Sequence, residues 1–198
     1  MFAACLLLPA LVGSGPIAAD AVEESAAAIS DGSYWVMGTL PPALALFGGE
    51  KEERIGRRML DAGIAAGLAA EGLKRATKQS RPDDPLATDG FPSGHAAAAW
   101  ALAEAAGTED GDLRPYTYAF ATAVTWSRVE LERHSVWQAL AGAALGYGIA
   151  RASASCEDGL FGGLFVDSAP QPAAFGPTPF AARSAYREPT ITLWRAEW

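Results

Sequence analysis

The chain has 198 residues, half of them apolar, and sets 15 Lys and Arg against 23 Asp and Glu, a formal net charge of -8. That length holds one domain with a real core and leaves little room for a second. The apolar fraction excludes a disordered chain, and the acidic balance excludes a nucleic-acid partner, which needs clustered positive charge.

Residues 1–19 open the chain with a mostly apolar run, Phe2 to Val12, followed by small residues and a cleavage zone near Ala18-Ala19. That is the pattern of a signal peptide, and it predicts export to a periplasm or attachment to a membrane. The segment has no basic start, so an N-terminal apolar helix that stays attached is the alternative. Cys5 lies within it, and the only other cysteine is Cys156. Neither a disulfide framework nor a zinc spacing can be built from that pair.

An Ala-rich, acidic stretch at 18–32 leads to an apolar segment at 34–47, interrupted by Pro41-Pro42. Residues 50–58 are charged and surface-like. Residues 57–76 read as a helix whose stripe is Leu60, Ile64, Leu68 and Leu73. Pro82, Pro85 and Pro92 prevent that helix from continuing. A second helix is predicted over 95–106, ended by Gly107 and the turn-rich 109–112. Others follow over 116–133 and 134–151. Residues 159–187 show no helical period, and Thr190 to Trp194 are a candidate strand or docked tail.

No segment reaches the roughly 18 to 20 uninterrupted apolar residues of a membrane span. The expected fold is therefore all-α: a single-domain helical bundle over 34–155, with an irregular extension at 156–198 packed on the same domain. Contact with a membrane surface stays open.

Both histidines of the chain fall at helix junctions. His95 follows Pro92-Ser93-Gly94, where a turn meets an Ala-rich helix; such a start offers free N–H groups and a dipole that favour an anion. His134 lies at the junction of the last two helices. Lys74 lies near the end of the 57–76 helix, Arg81 begins the loop before Pro82, and Arg128 adjoins Ser127 in the 116–133 helix. Arginine offers a planar fork to a phosphate and lysine a compact charge. Taken singly, each has a plainer reading, as a structural histidine or a solvated surface charge. Neither composition nor helical period brings the five together.

Their ordered pattern does. Lys74, six residues, then Arg81-Pro82 form one block; Pro92-Ser93-Gly94-His95 form a second; Ser127-Arg128, five residues, then His134 form a third. In order and spacing these resemble the three blocks of the type 2 phosphatidic acid phosphatase superfamily, which includes bacterial acid phosphatases, lipid phosphatases and vanadium haloperoxidases. The resemblance covers residues 74–138 and extends to the Ala/Gly-rich helix at 139–150. It implies the helical bundle of that family and a phosphatase that uses no metal and no cofactor. In that reading His134 attacks phosphorus to form a phosphohistidine, and His95 protonates the leaving oxygen. Lys74, Arg81 and Arg128, with Ser93 and the Gly94 backbone, hold the phosphoryl oxygens. The implied partner is a phosphorylated small molecule or a lipid head group.

One position departs from the pattern. Gln138 stands where the family has an aspartate that orients the nucleophilic histidine. Four residues from His134, it shares a helical face with it, and its amide oxygen is expected to accept the ring N–H while supplying no charge. Glu130 or Glu132 are alternative sources of the missing carboxylate. Reduced activity follows from this substitution, and a decayed phosphate-binding or structural relative is the second hypothesis. A vanadate-dependent haloperoxidase is the third. Six tryptophans, among them Trp100, Trp126 and Trp137, are read either as core or as an apolar approach for a lipid tail.

Overall fold

The computed structural model describes residues 16–166, and they form five α-helices. These are α1 (Pro16–Phe47), α2 (Glu50–Thr77), α3 (Gly94–Glu109), α4 (Arg114–Glu130) and α5 (Val136–Ser155), with a short 3-10 turn at Gly111–Leu113 before α4. There is no strand among the described residues, so the fold is all-α. The candidate strand at 190–194 lies outside them, as does the apolar run 2–12. Cleavage near Ala18-Ala19 would remove only the first turn of α1.

Helix α3 is the central rod. Ala96, Ala97, Ala99, Ala101, Ala103, Ala105 and Ala106 are all buried along it, and it packs against α2, α4 and α5. An alanine rod can be approached closely only by other small residues. On α5, Gly142 and Gly146 supply them: a β-carbon at either would collide with a backbone carbonyl of α3, that of Ser93 or of Ala97 respectively.

The same constraint decides which face of α2 turns inward. The inner face is Ile55, Met59, Ala62, Ala66 and Ala70. Ile64, Leu68 and Leu73, three members of the stripe expected to be the core face, are exposed. Alanines win the interior because they let two backbones close, which the bulkier stripe would hold apart. The charged stretch 50–58 is also part of α2, not a lead to it. Glu50, Glu52 and Glu53 lie in its first turn, where negative charge meets the positive end of the helix dipole.

Helix α1 extends the bundle well ahead of residue 34, burying Ala26 and Ser30. It also runs through Pro41-Pro42 without ending. The end of the bundle away from residue 94 is closed by buried charges. Arg58 pairs with Glu109 at 3.2 Å and donates to the Ser153 carbonyl at 2.9 Å. Asp61 accepts from Ser153 Oγ at 2.5 Å and from the Leu160 and Phe161 N–H groups at 2.9 and 3.1 Å. Those last bonds fasten the start of the C-terminal extension to α2. Among the described residues no helix is long and apolar enough to cross a membrane.

Two glycines about 3 Å apart along α5 test the close approach, since helical rise is about 1.5 Å per residue. Gly146→Ala is expected to destabilise the fold by about 1–3 kcal/mol through overpacking. Gly148, with open space around it, is expected to gain up to about 1 kcal/mol as alanine from helix propensity. Urea denaturation of the two variants reads the difference; equal effects would remove the close approach as a constraint.

Candidate active site

The site forms at the opposite end of the bundle, where α2 and α4 end and α3 and α5 begin. Lys74 comes from the last turn of α2, which stops at Lys78 in a left-handed conformation with its N–H on the Lys74 carbonyl. Helix α3 starts at Ser93, whose hydroxyl accepts from Ala96 N–H at 3.4 Å. That leaves the first N–H groups, at Gly94 and His95, without helical acceptors and at the positive end of the dipole. Helix α4 ends just past Arg128, and Glu132 turns the chain with φ of 53°. Ser135 then caps α5. His134 sits in this turn, 2% exposed, with its N–H on the Arg128 carbonyl at 3.1 Å.

Lys74, Arg81, Gly94, His95, Arg128 and His134 line one cleft of about 520 Å³. Ser93 is fully buried behind them as the helix cap. Arg81 reaches the cleft through a fork on Asp89, with Nε to Oδ1 at 2.8 Å and Nη2 to Oδ2 at 2.5 Å. Lys74 Nζ lies 3.7 Å from the same carboxylate. The hydrogen bonds from Arg81 hold the Asp89 carboxyl below the usual carboxylate range, and the charge of Lys74 adds to them. Arg128 is fixed from α1: its Nη1 bonds the Ser30 hydroxyl. Burial lowers the pKa of this guanidinium from its ordinary value.

The His134 ring is oriented by a carbonyl. Nδ1 lies 2.8 Å from the Gly90 oxygen, and a carbonyl can only accept, so the proton of the neutral ring is on Nδ1 and the Nε2 lone pair is left for other work. Gln138 does not take this bond. Its Oε1 accepts from Ser135 N–H at 3.1 Å, closing a capping box, and its Nε2 donates to the Ser80 carbonyl at 2.9 Å. Helix α5 begins only after His134, so the two residues share no helical face, and the glutamine turns to its own helix end. Its influence on His134 is indirect. A β-carbon on Gly90 would sit 2.8 Å from Gln138 Nε2 and collide with the Ser80 carbonyl, so Gln138 pins the close loop crossing that presents the Gly90 oxygen. Glu130 and Glu132 are exposed, and neither bonds the ring.

Sequence reasoning missed Asp89, Gly90, Ser30 and Tyr34. Asp89-Gly90 sits just before the Pro92 block and was legible only as turn chemistry. Ser30 lies 98 positions from Arg128, and no local pattern couples them. Tyr34 meets His95 edge-on, with ring centroids 4.9 Å apart. Of the three tryptophans, Trp100 packs half-buried against the core, bonded through Nε1 to Thr125 at 3.0 Å, Trp126 is half-buried, and Trp137 is 68% exposed.

Both imidazoles are held neutral, each with its pKa pushed down to about 4. Burial is the first cause in both. For His95 the charges of Arg128, a protonated His134, Lys74 and Arg81 add to it. For His134 the Gly90 carbonyl opposes the fall, and Arg81, Arg128 and Lys74 deepen it. The site is thus a cationic cradle around two uncharged rings.

Residues 57–160 match the sequence model of the PAP2 superfamily. That span is more than half of the chain and holds all three blocks, so the protein belongs to the PAP2 superfamily, whose members are phosphatases and related hydrolases acting on phosphorylated small molecules or lipids. No curated protein and no solved structure matches the chain.

Two predictions follow from the geometry. Gln138→Asp is expected to lower stability by about 1–2 kcal/mol, because it leaves the Ser80 carbonyl without its donor, and to give no gain in turnover; a faster enzyme would restore the idea of a missing charge. The depressed histidines set a pH dependence of folding. Between about 4 and about 6.5 the unfolded chain binds more protons than the folded one, so stability is present above about 6.5 and is lost as pH falls towards about 4. Thermal melts of the ligand-free protein and of a His95→Gln/His134→Asn variant check this. The variant should show the shallower acid slope, and equal slopes would remove the histidines from the account.

Proposed function

We propose that the protein is a metal-independent phosphatase that hydrolyses a phosphate monoester, or a lipid-linked phosphate or diphosphate, through a phosphohistidine at His134. The observation that carries this reading is the Gly90 carbonyl on His134 Nδ1 at 2.8 Å inside a cleft walled by Lys74, Arg81 and Arg128. It gives a neutral, oriented imidazole next to three positive charges, which is what attack on a phosphoryl group requires.

In this mechanism Lys74, Arg81, Arg128 and the N–H groups at the start of α3 hold the non-bridging oxygens and take up their charge. The Nε2 lone pair of His134 forms a bond to phosphorus as the bond to the leaving oxygen breaks. His95 gives that oxygen its proton. A water then attacks the phosphohistidine, His95 takes the proton back, and the P–N bond breaks to release inorganic phosphate and neutral His134. The site's own cations supply the charge that a metal supplies in other phosphatases. The Gly90 carbonyl steadies the imidazolium by its dipole alone, so phosphorylation lacks the full charge of a carboxylate partner.

Burial and the cations around His95 keep it neutral, and a bound phosphate raises its proton affinity by offsetting those cations. The proton for the leaving group therefore arrives with the substrate monoanion or with His95 in the complex. Since a phosphate monoester loses its second proton near about 6, kcat/KM is expected to peak between about pH 4 and about pH 6.

Hydrolysis of p-nitrophenyl phosphate in the presence of EDTA tests the reading. His134→Ala is expected to lose at least about 10³-fold in kcat, and acid-labile radiolabel should appear on protein mixed with labelled substrate. Retained turnover in His134→Ala would remove it as the nucleophile. Activity that vanished with EDTA and returned with a divalent ion would overturn metal independence. We further propose that the protein is exported, on the pattern of residues 1–19.

A further inference from the structure

A second cavity, of about 570 Å³, adjoins the phosphate cleft, and the two share Tyr34, His95 and Arg128 as lining residues. Its long wall is α1, where Glu23, Ser30, Asp31 and Tyr34 recur at helical spacing on one face. Asp83 and Arg133 close it from the neighbouring loops, paired with each other at 2.9 Å. The whole of α1 lies outside the residues that match the family.

Two independent observations mark the cavity as a ligand site. The first is continuity with the phosphate cleft: His95 and the buried Arg128 line both cavities, so a group whose phosphate lies in one extends directly into the other. The second is the charge count. Asp83 and Arg133 answer each other, and Arg128 faces the phosphoryl group. Glu23 and Asp31 remain, with no ion pair among the described residues. Asp31 is near enough to Arg128 to raise its proton affinity. Once a phosphate has taken up the charge of Arg128, the wall beyond His95 is net negative, with the Tyr34 ring at its edge.

His95 stands between the two spaces. A substrate whose phosphoryl group sits among Lys74, Arg81 and Arg128 has its leaving oxygen at His95, and the rest of the leaving alcohol extends along α1. We propose that this second cavity is the leaving-group subsite and that Glu23 and Asp31 select alcohols carrying an ammonium group, so that the preferred substrates are phosphate monoesters of amino alcohols. The proposal rests on the phosphatase reading above. The ammonium takes no part in the chemistry: the alcohol departs with the proton from His95, and the cation only binds, by charge to the two carboxylates and by its approach to the aromatic face of Tyr34. Both carboxylates are exposed, so the selectivity is moderate and sensitive to salt.

The test compares O-phosphoethanolamine with n-propyl phosphate, which has a similar chain and no cation. For the wild type at low ionic strength, kcat/KM is expected to favour phosphoethanolamine by about 5- to 10-fold. The preference should shrink in high salt and fall to about unity in Glu23→Gln/Asp31→Asn, while n-propyl phosphate turnover stays within about 3-fold. A folding defect would lower both substrates together and leave their ratio unchanged, so the ratio isolates the subsite. No preference in the wild type, or the same preference in the double variant, would overturn the proposal. A long-chain amino-alcohol phosphate in detergent micelles, set against an alkyl phosphate of equal length, tells whether the cation arrives on a lipid or on a small molecule. If p-nitrophenyl phosphate is not hydrolysed at all, the phosphatase reading has failed by itself. Calorimetric Kd values for phosphoethanolamine and n-propyl phosphate then test the subsite separately, with the same ratio expected.

Discussion

Helices α3 and α5 meet almost backbone to backbone, and most of the site's geometry depends on that contact. Gly142 and Gly146 lie against the carbonyls of Ser93 and Ala97, and Ser93 N–H bonds the Gln138 carbonyl at 3.0 Å. The start of α3 is thereby registered against the start of α5 to within a hydrogen bond. His95 stands just inside one helix start and His134 just outside the other, so the register fixes the relation between the two rings. A larger residue at either glycine would separate the helices and, with them, the two histidines.

The second organising force is electrostatic. A chain of net charge -8 gathers Lys74, Arg81 and Arg128 around one cleft, and keeping them there carries a cost in mutual repulsion and desolvation. Asp89 offsets part of it by bridging Arg81 and Lys74, and Ser30 offsets part by bonding Arg128. What remains is expressed on the histidines, whose protonation the cradle opposes. The same field that would bind a phosphate dianion therefore keeps both imidazoles uncharged.

Gln138 shows how a position can be noticed correctly and explained wrongly. Its distance of four residues from His134 made contact between them plausible on a continuous helix. The helix begins only at Val136, so His134 precedes the α5 cap and the two residues share no helical face. The ring instead found the Gly90 carbonyl, 44 positions away. Helix α2 gives a comparable lesson. Two apolar stripes are present in its sequence, one of large residues and one mainly of alanines, and periodicity alone weighs the larger one more heavily. Which stripe faced inward depended on α3 being an alanine rod, a property of the partner and not of α2.

The sequence by itself determined that the chain is helical, roughly where α3, α4 and α5 lie, and which residues make up the three ordered blocks. These are local properties: caps, prolines, periodicity and short-range spacing reside within a few turns of chain. Only the tertiary structure decided that Gly90 orients His134, that Ser30 secures Arg128, that Asp89 bridges two of the cations, and that α1 forms a wall beside His95. Each of those is a contact between segments far apart in the chain, set by how closely small side chains let the helices approach.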